Sequence, residues 1–104
     1  MRVFWTIDAE NDLIDTFNYL KFKHNEAFAD KVIDKIFNKS FLLENFPEMG
    51  AVEKSKMLEN LEIRYLIEGN YKILYQINAS KGLVEILAVF DTRRDPSKML
   101  SKEE

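Results

Sequence analysis

The stretch Leu61-Glu62-Ile63-Arg64-Tyr65-Leu66-Ile67-Glu68-Gly69-Asn70-Tyr71-Lys72-Ile73-Leu74-Tyr75-Gln76-Ile77 decides how the chain folds. Leu61, Ile63, Tyr65 and Ile67 alternate with more polar positions, and Tyr71, Ile73, Tyr75 and Ile77 do the same after Gly69-Asn70. A period of two, with β-branched and aromatic residues around a Gly-Asn turn, reads as two strands of a hairpin. For the odd-numbered residues of both strands to share one face, the numbers of each cross-strand pair must sum to an even number, which a three-residue loop at Glu68 to Asn70 provides. That parity sends Arg64 and Lys72 together to the opposite face.

Downstream, Ala79-Ser80-Lys81-Gly82 makes a second turn, and Leu83 to Phe90 is apolar nearly throughout, as expected of a central strand covered on both sides. The tail is charged, and residues 97–104 are expected to fray. Upstream the period lengthens to about 3.6. Ala9, Leu13, Ile14, Phe17 and Leu20 mark an amphipathic helix reaching about Lys23, capped by Thr6 or Asp8, with acids early and Lys21 and Lys23 late as the macrodipole favours. Asn25 is an N-cap for a second helix with Phe28, Ala29, Val32, Ile33, Ile36 and Phe37 on one stripe, ending near Asn45 because Pro47 disfavours helical geometry before it. Residues 51–60 read as a loop carrying Lys54 and Lys56, and Val3 to Ile7 as a first strand. The expected fold class is α+β, in the order β-α-α-β-β-β: a helical hairpin packed on one face of a small antiparallel sheet, in a single domain spanning residues 1–104.

Composition narrows the chemistry. The 46% hydrophobic content includes eight phenylalanines, enough for one modest aromatic-rich core. The absence of cysteine excludes disulfides, thiolate catalysis and Cys-ligated metal, and a single histidine, His24, cannot build a histidine cluster, so no metal and no cofactor are expected. No apolar run is long enough to span a bilayer, and the N-terminus lacks a signal-peptide core, which makes a cytoplasmic protein the expectation. The formal charge of −3 gives no long-range attraction to a polyanion, so nucleic-acid binding would need a local basic patch.

Several fragments in this element order resemble the RelE/ParE-type toxins of bacterial type II toxin–antitoxin systems. They are Trp5-Thr6 followed by Ala9 and Asp12-Leu13, Phe46-Pro47-Glu48-Met49-Gly50 after the second helix, Arg64, Asn70 to Tyr75 in the hairpin, and Val89 to Pro96 closing the last strand. Each is weak alone; their joint order and spacing are fairly specific. The resemblance implies a toxin that arrests growth by disabling translation or DNA gyrase. It also implies a cognate antitoxin that neutralises the toxin in a hetero-oligomer, by wrapping it with a helix and an extended segment.

Arg64, Lys72 and Arg93 are the candidate catalytic cations if the protein is a ribosome-dependent RNase, because converging cations stabilise charge developing on a phosphate. The plain alternative is solvated cations paired with Glu62, Glu68 or Glu85. The RNase branch of the family works with a Tyr or His in the C-terminal segment, whereas residues 95–104 contain neither and Met99, which cannot do acid–base work, stands at that place. Arg93-Arg94-Asp95-Pro96 looks more like the ParE branch, so gyrase is the favoured target, with Arg93, Arg94, Lys54 and Lys56 as contact residues. A ribosome-dependent mRNA endonuclease and a harmless antitoxin-binding homologue are the alternatives. Phe41, Leu42, Leu66 and Leu74 are the expected antitoxin groove.

Overall fold

The computed structural model describes residues 1–54 and 62–93. The elements are β1 (Arg2–Trp5), α1 (Ile7–Lys23), α2 (Glu26–Ser40), β2 (Ala51–Val52), β3 (Ile63–Glu68), β4 (Tyr71–Asn78) and β5 (Leu83–Asp91). One five-stranded sheet has the order β1-β5-β4-β3-β2, antiparallel except that β1 lies parallel to β5. The expected α+β architecture is therefore present, with two refinements. A two-residue strand extends the sheet beyond β3, and the first strand joins the far edge in parallel, as the two intervening helices permit.

Local chemistry starts and stops each helix. The Thr6 hydroxyl accepts from the Ala9 amide at 3.3 Å to cap α1 and donates to the Ile86 carbonyl at 2.7 Å, so one side chain caps the helix and ties it to the sheet centre. Asn25 caps α2 through the Phe28 amide at 2.8 Å. The second helix stops at Ser40, short of Asn45, and Phe41–Glu44 tightens into a 3-10 turn. Trp5 donates to the Ser40 hydroxyl at 3.2 Å, binding β1 to that end.

The parity expectation fails. Arg64 pairs with Tyr75, Leu66 with Ile73 and Ile67 with Lys72, so the paired numbers sum to an odd number. The connection is the two-residue turn Gly69-Asn70, with Gly69 at φ +61°, the left-handed conformation that glycine adopts without penalty. The helix-covered face thus holds Leu66 from β3 but Ile73 and Tyr75 from β4, packed with Ala9, Ile36, Leu43, Val84, Ile86 and Val89. Ile63, Leu74, Ala88 and Phe90 form a separate buried cluster on the opposite face. A register shift between Leu74 and Tyr75 leaves Leu87 as an extra residue on β5, which lets both Ile86 and Val89 face the helices. The Val89 amide donates to the Asp12 carboxylate of α1 at 2.8 Å across this bulge.

Candidate functional site

The loop after α2 is built around Tyr75. This fully buried phenol donates to the Pro47 carbonyl at 2.7 Å and accepts from the Gly50 amide at 2.9 Å. A Cβ at Gly50 would meet the Tyr65 carbonyl oxygen at 2.6 Å and Tyr75 Oη at 2.7 Å, which is why this position carries no side chain. Burial pushes the Tyr75 phenol above its ordinary pKa, against the opposing pull of the Gly50 hydrogen bond.

Arg64 serves the same loop. One Nη donates to the carbonyls of Glu48 at 3.1 Å and Gly50 at 2.9 Å, while Nε and the other Nη grip the Glu62 carboxylate at 3.1 and 2.9 Å. With its side chain only 17% exposed, it acts as a clamp on backbone.

Lys72 lies on the other face of the sheet. Its Nζ is 2.8 Å from the Glu53 carboxylate, both side chains are almost wholly buried, and it sits 4.0 Å over the centroid of the Tyr65 ring. The expected convergence of Arg64 and Lys72 is therefore corrected. The two-residue turn shifts the register by one, and a shift of one exchanges the faces.

Arg93 is different. Its side chain is 67% exposed, with one Nη 3.4 Å from Asp91 Oδ2. Thr92 donates from both its amide and its hydroxyl to the Asn70 carbonyl, at 2.9 and 3.0 Å, fixing the exit of β5 against the hairpin turn. Arg93 thereby stands on the rim of a cleft of about 540 Å³ between the helical hairpin and the tip of β3–β4. Leu20, Phe28, Val32 and Tyr71 line it, and Lys35 of α2 is a second cation in its lining. Phe28, Val32 and Lys35 fall at i, i+4 and i+7 along α2; Phe28 and Val32 belong to the apolar stripe expected of that helix, and Phe28 is 42% exposed.

The remaining site candidates are scattered. Lys54 is exposed beside β2, where the Glu53 amide bonds to the Ile63 carbonyl, at the end of the hairpin away from Arg93. The six residues of β3 span the distance between those two ends, five steps or about 17 Å at the rise of a strand. Lys56 and Arg94 lie outside the described residues. Of the four groove residues, Phe41 and Leu42 are exposed at the end of α2, but Leu66 and Leu74 are buried on opposite faces of the sheet. Those four do not form one groove, again because the register shift separates them. His24 closes α1, exposed, with its ring tilted against that of Phe28 at 4.7 Å between centroids.

The architecture is that of the small RelE/ParE-like toxins. The chain is similar to a chain of the chromosomal ParDE system of Pseudomonas aeruginosa, with a TM-score of 0.73 at 19% identity over 88% of this chain and 95% of that one. It is also similar to the RelBE2 toxin–antitoxin complex of Mycobacterium tuberculosis, at a TM-score of 0.64, 21% identity and coverage of 86% and 88%. An arginine double mutant of the Escherichia coli toxin RelE in the free state gives a TM-score of 0.62 at 15% identity, covering 98% and 92%. A family model described as the ParE toxin of the type II toxin–antitoxin system parDE matches residues 3–96, and the chain belongs to that family. No curated protein sequence matches it. No described helix is long and apolar enough to cross a membrane.

Proposed function

We propose that this chain acts in the cytoplasm as a growth-arresting toxin that inhibits DNA gyrase, and that a cognate antitoxin neutralises it. One observation carries the choice of target: the cations an RNase mechanism would need are split between two sheet faces, and Arg64 and Lys72 are each engaged in holding the chain itself. A phosphate undergoing in-line attack needs cations and a proton carrier converging on one point. Arg64 and Lys72 do not converge, and residues 95–104 contain no Tyr or His to move a proton. A non-nucleolytic contact asks only for an exposed surface, and Arg93 on the cleft rim supplies one. The ParDE and RelBE2 relatives are toxin–antitoxin systems, which supports an antitoxin partner here. Phe41 and Leu42, and the apolar floor of the Arg93 cleft, are the surfaces we assign to it in place of the buried Leu66 and Leu74.

The test runs the purified chain in two assays, gyrase supercoiling and programmed ribosomes. Supercoiling should be inhibited, Arg93→Ala should weaken that inhibition, and mRNA should stay intact. Cleavage of mRNA at the ribosomal A site would replace the gyrase reading with the endonuclease one. Unimpaired growth on induction of soluble protein without antitoxin would leave a harmless antitoxin-binding homologue.

A further inference from the structure

The outer face of α1 carries a pattern that neither the core nor the cleft uses. Ile7, Ile14 and Phe22 are 74%, 56% and 87% exposed, while Ala9, Thr16 and Leu20 of the same helix are buried. Exposed Asn11 and Asn18 alternate with them, so the five fall at i, i+4, i+7, i+11 and i+15 along one solvent-facing stripe. Three large apolar side chains in line on a solvent face mark a contact surface.

The stripe reads nearly the same in both directions. Laid against its own reverse, Ile7 comes opposite Phe22, Asn11 opposite Asn18, and Ile14 beside its own copy. The charges follow that reversal, with Asp8 and Glu10 in the first turn and Lys21 and Lys23 in the last. Self-complementarity under reversal is what a two-fold interface requires.

We infer that α1 docks a second copy of this chain, the two helices antiparallel and packed through Ile7, Ile14 and Phe22. In that arrangement Glu10 of each copy lies beside Lys21 of the other, on the same flank of the stripe, and the two helix dipoles oppose each other favourably. Within its own chain Lys21 is only loosely held, 3.6 Å from Glu26 with both side chains more than half exposed. The asparagine amides pair across the seam and fix its register, as polar residues do in a helical seam. Asp15 lies on the other flank near the two-fold axis, where it meets its own mate and weakens the contact. The three apolar side chains offer on the order of 450 Å² per copy, about half of the ~800 Å² per partner in a standard interface, so the dimer exchanges with monomer. This inference is independent of the toxin reading.

Analytical ultracentrifugation of the full chain from micromolar to millimolar concentration tests it. A concentration-dependent monomer–dimer equilibrium is expected, lost in Ile14→Ser and in Phe22→Ser with thermal melting unchanged, since both sites face solvent. Glu10→Lys and Lys21→Glu should each weaken the dimer several-fold, and the two together should restore it. Those positions lie about 16 Å apart along one helix, too far to compensate within a single copy. Asp15→Asn should strengthen association several-fold. A monomer throughout the range, or a dimer indifferent to both serine substitutions, overturns the proposal; a double charge reversal without recovery overturns the antiparallel arrangement.

Discussion

Replacing Tyr75 by Phe removes one oxygen and leaves the ring in place, so its cost isolates the loop anchor. That oxygen donates to the Pro47 carbonyl at 2.7 Å and accepts from the Gly50 amide at 2.9 Å. Each bond contributes about 1 kcal/mol net, and a buried amide left without a partner adds roughly 1 kcal/mol or more. The loop cannot move to find water cheaply, because Arg64 still grips the carbonyls of Glu48 and Gly50. The expected loss is about 2–3 kcal/mol, or roughly 10 °C in Tm for a domain of this size. Urea denaturation followed by circular dichroism, with an unchanged m-value, reads it directly. There is also a pH signature. Burial raises the folded-state pKa of this phenol above the ordinary 10.0, so its contribution is fully present below about pH 10 and is lost as pH rises through the folded value. The stability gap between wild type and Tyr75→Phe should be flat from neutrality to about pH 10 and close above it. A loss under about 0.5 kcal/mol, or a gap indifferent to alkali, would refute the anchoring argument.

Lys72→Met should cost about 3 kcal/mol by stranding the buried Glu53 carboxylate, whereas Lys72→Met combined with Glu53→Leu should return to within about 1 kcal/mol of wild type in the same denaturation assay. Asp12→Ala should cost about 1.5–2 kcal/mol, since it strips the acceptor from the Val89 amide at the bulge; amide exchange at Val89 should quicken in parallel. Arg93→Ala should leave stability within about 0.5 kcal/mol, because that guanidinium is largely in solvent, while reducing growth arrest on induction without antitoxin.

Helices and strands were legible because each rests on local chemistry. Thr6 and Asn25 cap where their side chains predict, and the alternation from Ile63 onward survives as strands. What failed was register, which hangs on whether Glu68 belongs to the turn or to the strand. Both readings satisfy the apolar alternation within each strand, and they differ only in which face meets the helices. Leu66 and Leu74, which the sequence alone places on the open face as part of the antitoxin groove, carry the available signal: each is a large apolar residue at a nominally polar position, and each is buried. Ile14 misled for a related reason. It falls near the period of the apolar stripe that marks the helix, yet its 56% exposure places it on the outer face. The cleft beside Arg93 was illegible because Asn70 and Arg93, which line it, come together only when Thr92 at the end of β5 bonds to the hairpin turn.

The register also explains why the most recognisable residues are poor guides to function here. Phe46 to Gly50, Arg64 and Tyr75 form one device, in which an arginine fork and a phenol hold three loop carbonyls and an amide in place. Asp12 and Thr6 do the same for the junction of α1 with β5. A charged side chain with four internal hydrogen bonds would have to break them to meet a target, and each break exposes a backbone group that the fold has no other way to satisfy. On the proposed reading, action on a partner falls to side chains the fold does not consume, and among the described residues Arg93 is the candidate, its side chain 67% exposed. Such positions can change without unfolding the protein, so one scaffold can carry different targets, and its most legible motifs record how it stands up more than what it touches.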